Sequence, residues 1–284
     1  MKLVNIQTIL KGVSSSGYAV PAFNILNHLT TKAVMEECAA LRSPVIIQTS
    51  VATVKLYEPK PLADMVKAEA EYYNIPVTLH LDHCTDPNLA KKCVESGWSS
   101  IMIDGSHLAF EENIAMTKDM VDYAKQFDIG VEGELGAIAG VEDDIVVADN
   151  DAYMADVKQS EEFVQKTGIA AFAPAVGTAH GQYKGEPKLD FERFTDIGNV
   201  VGGVPLVVHG GTGLSVEVFQ KFIKLGAAKI NISTALKQAY MSAVRQYAAE
   251  NPKNAPLELD RFIVDHVRKT VKEHIEIFNS ANRI

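Results

Sequence analysis

Eight short apolar, β-rich runs recur along this 284-residue chain at regular intervals, each followed by helical periodicity. They are Tyr18–Ile25, Val45–Ser50, Val77–His83, Ser100–Asp104, Gly130–Leu135, Ala170–Gly177, Leu206–His209 and Ala228–Ile232. Apolar runs of this length between helices suit parallel strands buried on both faces. Between them, Asp86 and Pro87 open a helix over Asn88–Ser96 that stops at Gly97. Pro61–Tyr73 and Glu111–Phe127 carry apolar residues three and four apart, and Ser215–Leu225 stops at Gly226. An open doubly wound sheet has the same local pattern, but eight successive strand–helix units favour a closed α/β barrel, the (β/α)8 or TIM barrel. No linker or composition shift divides the chain. It reads as one barrel domain over 1–284, closed by helical stretches Ala235–Ala249 and Asp260–Ile277, with a C-terminal helical extension over roughly 250–284.

Composition excludes several function classes. Hydrophobic residues at 47% and charged residues at 22% are ordinary for a globular protein. A net charge of −9 with no basic run excludes a general nucleic-acid binder, because nothing is available to neutralise a phosphate backbone. It leaves room for a small anionic substrate in a locally positive pocket. Three cysteines without a CxxC pair fit a reducing compartment and no disulfide framework. The N-terminus lacks the apolar core of a signal peptide, and no apolar run approaches the about 18 residues of a membrane span. The expectation is a cytoplasmic protein that engages no membrane.

Chemistry concentrates toward the end of the chain. The run Leu206–Val208 ends in His209, and Gly210, Gly211 and Gly213 follow at once. Such glycines let the backbone turn tightly and aim its N–H groups at an anion. The next run ends in Ser233 and Thr234, which open a helix, and a helix start with unsatisfied N–H groups is a second anion-binding feature. Two consecutive strand ends shaped for phosphate suit the phosphate corner of a barrel.

Barrel enzymes place their reactive groups where strands finish. The third run ends Leu81-Asp82-His83, the sixth leads into Thr178-Ala179-His180, and the seventh ends at His209. One such histidine reads most simply as a hydrogen-bonded residue near the surface. Three at matching topological positions point to a three-nitrogen metal site with an open fourth position. Strand alternation puts Asp82 and His83 on opposite faces, so both reach one site only where the strand gives way to loop. Asp82 reads as a residue that orients a ligand or as a proton donor to a substrate oxygen. Asp104 and Glu134 are acidic groups inside apolar runs, where an unpaired carboxylate is costly, so they belong at the barrel mouth. Glu142, in a long segment from Gly136 to about Val157, is either a general base or part of a solvated acidic run. A second long segment spans Thr178 to about Lys188, and long loops at one face usually serve the active site. Lys229 reads as a Schiff-base nucleophile or as a side chain directed to the mouth or the helix layer.

These residues carry a resemblance. Ala22-Phe23-Asn24, His80-Leu81-Asp82-His83, Glu132-Gly133-Glu134-Leu135-Gly136, Gly177-Thr178-Ala179-His180-Gly181, His209-Gly210-Gly211-Thr212-Gly213 and Lys229 to Thr234 resemble, in order, the motifs of the class II, metal-dependent ketose-bisphosphate aldolases. The resemblance runs over nearly the whole chain. It implies a (β/α)8 fold and reversible cleavage of fructose 1,6-bisphosphate, or of tagatose 1,6-bisphosphate, to dihydroxyacetone phosphate and glyceraldehyde 3-phosphate, a step of glycolysis and gluconeogenesis. It implies Zn2+ on His83, His180 and His209, a proton passed by Asp82 to the aldehyde-side oxygen, and proton transfer at carbon 3 by Glu142. It implies that Gly181, Gly210, Gly211, Thr212, Asn231, Ile232, Ser233 and Thr234 hold the dihydroxyacetone phosphate end, with Na+ or K+ assisting, and that Asn24 and Ser50 touch substrate. Asp104 and Glu134 match an alternative metal position seen in relatives. Arg261 matches an arginine that reaches the distal phosphate of an adjacent subunit, which implies a homodimer or homotetramer; it stands here in Leu-Asp-Arg where the family usually has Asp-Pro-Arg.

Class I aldolases obtain the same electron sink from a lysine imine, and the sixth run, AAFAPAVG, has no lysine. The glycine motif after His209 and Tyr183 to Pro187 look more like the fructose enzymes, whereas Gly-Thr-Ala-His-Gly occurs readily in the tagatose ones. A metal-dependent hydrolase on the same barrel is a more remote reading, since it usually needs His-x-His on the first strand, where this chain has Ala22-Phe23-Asn24-Ile25. A non-catalytic phosphosugar-binding protein would need neither Asp82 nor all three histidines.

Overall fold

The computed structural model describes residues 3–142, 145–147, 153–181, 187–251 and 255–284, without the side chains of 139, 141–142 and 145–147. Its strands are β1 (Val20–Asn24), β2 (Val45–Thr49), β3 (Val77–Cys84), β4 (Ser100–Ile103), β5 (Gly130–Leu135), β6 (Ala139–Glu142), β7 (Ile145–Val147), β8 (Ala171–Pro174), β9 (Ala179–His180), β10 (Leu206–Val208) and β11 (Ala227–Ile232). Eight of them close a parallel barrel in the order β1-β11-β10-β8-β5-β4-β3-β2. Every apolar run of the sequence supplies one barrel strand. The runs Ala170–Gly177 and Leu206–His209 overshoot, because the ladder ends where the backbone turns away toward Gly177 and Gly210, both at positive φ.

Alternation along the strands builds the two cores. In β1, Phe23 packs outward under the helices, whereas Val20 and Ala22 join Ile46, Ala171, Ala173, Val207 and Ala228 inside the barrel. A short helix, Ile6–Ile9, seals that floor with Ile6, Ile9, Leu10 and Val13. Toward the C-terminal end the same inward positions become polar: Asn24, Gln48, His80, Asp82, Glu132, Glu134, Lys229 and Asn231 are all buried. An apolar floor beneath a polar mouth is how a filled barrel presents a site at its strand ends.

Outside the barrel, the helices bury Trp98, Phe163, Phe194 and Phe222 completely or nearly so. The N-cap read from sequence holds, since Asp86 accepts from Asn88 N–H with Pro87 at the first helical position, and Ser215, which begins the Ser215–Leu225 stretch, likewise caps its helix by accepting from Val218 N–H. The last helix, Pro256–Ile277, packs on His28–Ala40 and Thr234–Glu250. Among the described residues no helix is long and apolar enough to cross a membrane.

Two expectations are corrected. The long segments are not plain loops: β6 pairs antiparallel with β7 and parallel with β9, making a small separate sheet. The third strand does not dissolve at Asp82. It continues to Cys84 through a register slip between Leu81 and Cys84, with His83 in the left-handed region at φ 46°.

Candidate metal centre and phosphate corner

His83, His180 and His209 converge at the barrel mouth. One ring nitrogen from each lies within 4.8 Å of the others. The His83 ring is 4.9 Å from His180 and 4.6 Å from His209 between centroids, and the latter two are 6.1 Å apart. His83 and His209 are buried, while His180 on β9 is partly open. Each is delivered differently. His209 follows the last residue of β10, and His180 rides the small sheet, where Gly140 pairs with it. His83 owes its direction to the slip in β3: a left-handed residue departs from strand alternation, so Asp82 and His83 both turn inward. A bulky residue at positive φ is uncommon and costs about 1–3 kcal/mol, held by its surroundings.

Carboxylates fix the rings. His83 Nδ1–H donates to Asp104 Oδ2 at 2.9 Å, and Ser106 N–H donates to Asp104 Oδ1 at 3.0 Å. Burial alone would raise the Asp104 pKa, but the hydrogen bond and charge of His83 hold it well below the usual carboxylate range. His209 Nε2–H donates to Glu132 Oε1 at 2.8 Å. Its other nitrogen, Nδ1, lies 3.2 Å from Glu134 Oε2 without hydrogen-bond alignment, and both atoms are buried without a hydrogen-bond partner among the described residues. Imidazoles held at one nitrogen by carboxylates, with buried donor atoms left over, fit a divalent metal such as zinc. Asp104 and Glu134 form a second candidate group with His83, also within 4.8 Å.

Asp82 sits beside this cluster in an amide clamp. Asn24 Nδ2 donates to Asp82 Oδ2 at 2.8 Å, Asn231 Nδ2 donates to Oδ1 at 3.2 Å, and Gln48 Nε2 in turn donates to Asn24 Oδ1 at 2.7 Å. Asn24 and Asn231, expected as substrate contacts, therefore hold the carboxylate as well. Gln48 escaped sequence reading; its only signal was an amide inside an apolar run. Ser50 caps the helix Val51–Tyr57, its hydroxyl accepting from Thr53 N at 3.3 Å.

At the candidate phosphate corner Gly210, at φ 70°, lets its backbone pass so close to β9 that a Cβ there would meet Ala179 O at 2.5 Å. Gly181 is at φ 82° beside His180. Gly211 is buried and Thr212 partly exposed. Across from them Ser233 precedes the helix Thr234–Glu250, and its buried hydroxyl has no hydrogen-bond partner among the described residues. Ile232 packs outward in the hydrophobic core, so only its backbone is available to a ligand.

Lys229 does not face the mouth as a nucleophile. It is fully buried inside the barrel with Nζ 2.7 Å from Glu132 Oε2. Glu132 and His80, whose Nε2 is 3.7 Å from the same oxygen, carried no sequence signal beyond their motifs. Arg261 is exposed on the last helix, and among the described residues it has no ion-pair partner. The Glu142 side chain and the Tyr183 to Glu186 stretch lie outside the described residues.

Comparison with known proteins agrees with this geometry. The model of the family "Fructose-bisphosphate aldolase class-II" matches residues 4–283. The YdjI aldolase of Escherichia coli K12 is 32% identical, with 99% of each chain covered and a TM-score of 0.88. A candidate fructose-1,6-bisphosphate aldolase of Coccidioides immitis is 30% identical over 98% of this chain and 97% of that one, with a TM-score of 0.91. The Campylobacter jejuni fructose-bisphosphate aldolase, 22% identical, shares the fold over 100% of this chain and 97% of its own, at a TM-score of 0.87.

Proposed function

Since this chain belongs to the class-II fructose-bisphosphate aldolase family and is an aldolase, a carbon–carbon lyase, we propose that it cleaves fructose 1,6-bisphosphate reversibly to dihydroxyacetone phosphate and glyceraldehyde 3-phosphate. The observation that carries this reading is the convergence of His83, His180 and His209 within 4.8 Å beside two anion-shaped strand ends. His83, His180 and His209 would hold Zn2+. When bound, the ion supplies Lewis-acid stabilisation of the negative charge that develops on the ketone side as the carbon 3–carbon 4 bond breaks.

The chain's own groups do the rest. Asp82, aimed by Asn24 and Asn231, takes the proton of the carbon 4 hydroxyl during cleavage and returns it to the aldehyde oxygen during condensation. Glu142 carries the proton at carbon 3. Gly181, Gly210, Gly211, Thr212 and the Asn231 to Thr234 segment hold the dihydroxyacetone phosphate group, where the buried Ser233 hydroxyl has no hydrogen-bond partner among the described residues. Na+ or K+ assists at that end. Phosphate binding far from the breaking bond orients it. In this reading the whole chain works as one barrel unit in the cytoplasm, in a homodimer or homotetramer where Arg261 of one subunit reaches the distal phosphate of the next.

The test is kinetic. Chelator-sensitive release of triose phosphate is expected, faster from fructose than from tagatose 1,6-bisphosphate in side-by-side assays. His180→Ala is expected to lose both zinc and turnover. Cleavage by metal-stripped protein would overturn the mechanism, and faster turnover of the tagatose ester would overturn the substrate.

A further inference from the structure

Beneath the histidine cluster lies a charged pair that the reaction does not use. Lys229 on β11 and Glu132 on β5 are both completely buried, just above the apolar floor, and Lys229 is paired in register with Val20 and Val207. Lysine is rarely enclosed in this way, and taking two charges out of water costs several kcal/mol per ion before their attraction offsets it. Well-packed apolar residues at both positions are often as stable or more so. Stability alone does not account for the pair.

Its geometry suggests what does. Glu132 divides its oxygens: Oε2 accepts from Lys229 Nζ at 2.7 Å, and Oε1 accepts from His209 Nε2–H at 2.8 Å. The lysine occupies one oxygen and fixes the carboxylate plane, so the other has one direction in which to accept. That bond claims Nε2 of His209 and leaves Nδ1 toward Glu134, on a ring that packs 4.6 Å from His83. Resting on the zinc reading above, we propose that Lys229 and Glu132 are positioning residues: acting as a unit, they present His209 to the metal through Nδ1. Partners that orient metal-binding histidines typically contribute about 10–100-fold in affinity. Here that partner is itself aimed by a lysine one step deeper in the barrel.

The test uses the full-length protein loaded with zinc. Lys229→Met leaves Glu132 uncompensated, and Glu132→Gln leaves Lys229 uncompensated while its amide carbonyl still accepts from His209. Each single variant is expected to bind zinc about 10–100-fold more weakly, read by competition with a chromophoric chelator, and to shift the visible spectrum of the Co2+-loaded protein. The double variant is expected to bind zinc no more weakly than the weaker single variant, because the two residues act as one unit, and recovery to wild-type affinity would make the pair a matter of charge balance and overturn the proposal. In the wild-type zinc form, 15N-histidine NMR should find His209 metal-bound at Nδ1 and protonated at Nε2. Single variants with wild-type affinity and an unchanged Co2+ spectrum overturn the proposal, as does metal bound at Nε2. Should the single variants not fold, the nitrogen assignment decides: Nδ1 sustains the proposal and Nε2 ends it. His180→Ala separates this from the functional reading, because among the described residues no hydrogen bond or ion pair joins His180 to Lys229 or Glu132. Zinc retained by that variant sinks the functional reading; zinc lost there yet undisturbed in Lys229→Met sinks only the pair's role.

Discussion

Asp82 and His83 are consecutive residues that turn into the same opening, one clamped by two asparagines and the other set against Asp104. A regular strand cannot do this. The slip in β3 and the left-handed backbone at His83 make it possible, and they place the carboxylate proposed to handle the proton next to a ring proposed to hold the metal. Asp82→Ala is therefore expected to keep its zinc and lose about 10²–10⁴-fold in kcat. Metal analysis beside steady-state kinetics checks it; a variant that loses zinc would make Asp82 a structural residue.

Asp104→Asn should act on the metal rather than on the fold. The neutral amide accepts from His83 Nδ1–H more weakly than the carboxylate does and its NH2 end cannot accept at all, so the ring is held less firmly in its direction. Zinc affinity is expected to fall about 10–100-fold, with a far smaller effect on kcat at saturating metal. An equal loss of kcat at saturating zinc would show that Asp104 does more than aim His83.

The metal-free protein should carry a pH signature from His209. Burial and the charge of His83 lower its pKa, but the Glu132 hydrogen bond and the Glu134 carboxylate outweigh them and raise it from 6.5 to about 9. The folded state then holds a proton that the unfolded chain releases at lower pH. The resulting stabilisation is complete below pH 6.5 and is lost as pH rises toward 9. The Tm of the metal-free protein is expected to fall across that window, and less so in His209→Gln. Zinc must displace the same proton, so its apparent affinity should rise about tenfold per pH unit there. A Tm profile that is flat in the wild type and identical in the variant would contradict this.

Gly210→Ala tests the close approach of two histidine-bearing segments. Its Cβ would strike Ala179 O, one residue before His180, at a backbone conformation that alanine adopts only with strain. The cost is expected to be about 1–3 kcal/mol, visible in denaturant unfolding. Zinc affinity should fall with it, because β9 is pushed away from His209. Unchanged zinc binding in a destabilised variant would mean that His180 reaches the metal independently of that contact.

Much of this protein was legible in its residues alone. The eight runs fixed the barrel because an apolar strand buried on both faces has few other places to go, and Gly97, Gly226, Asp86 and Ser215 mark helix ends through local backbone chemistry that needs no partner. The three histidines were legible because strand ends are themselves local. What escaped were relations between segments far apart in the chain. Gln48 reads as one polar residue in an apolar run until β2 lies beside β1 and its amide meets Asn24. Glu132 and Lys229 are 97 positions apart, and nothing local distinguishes a lysine bound for the barrel interior from one bound for solvent. The small sheet that carries His180 likewise needs two distant loops to meet.

What the sequence determined by itself is therefore the architecture and the reactive residue types, since hydrophobic periodicity and glycine or capping chemistry act over a few neighbours. Only the tertiary structure decided how those residues are aimed. Ring orientation, the shared face of Asp82 and His83 and the partner of each buried charge depend on which strands come to lie side by side, and that is set by the closure of the barrel as a whole.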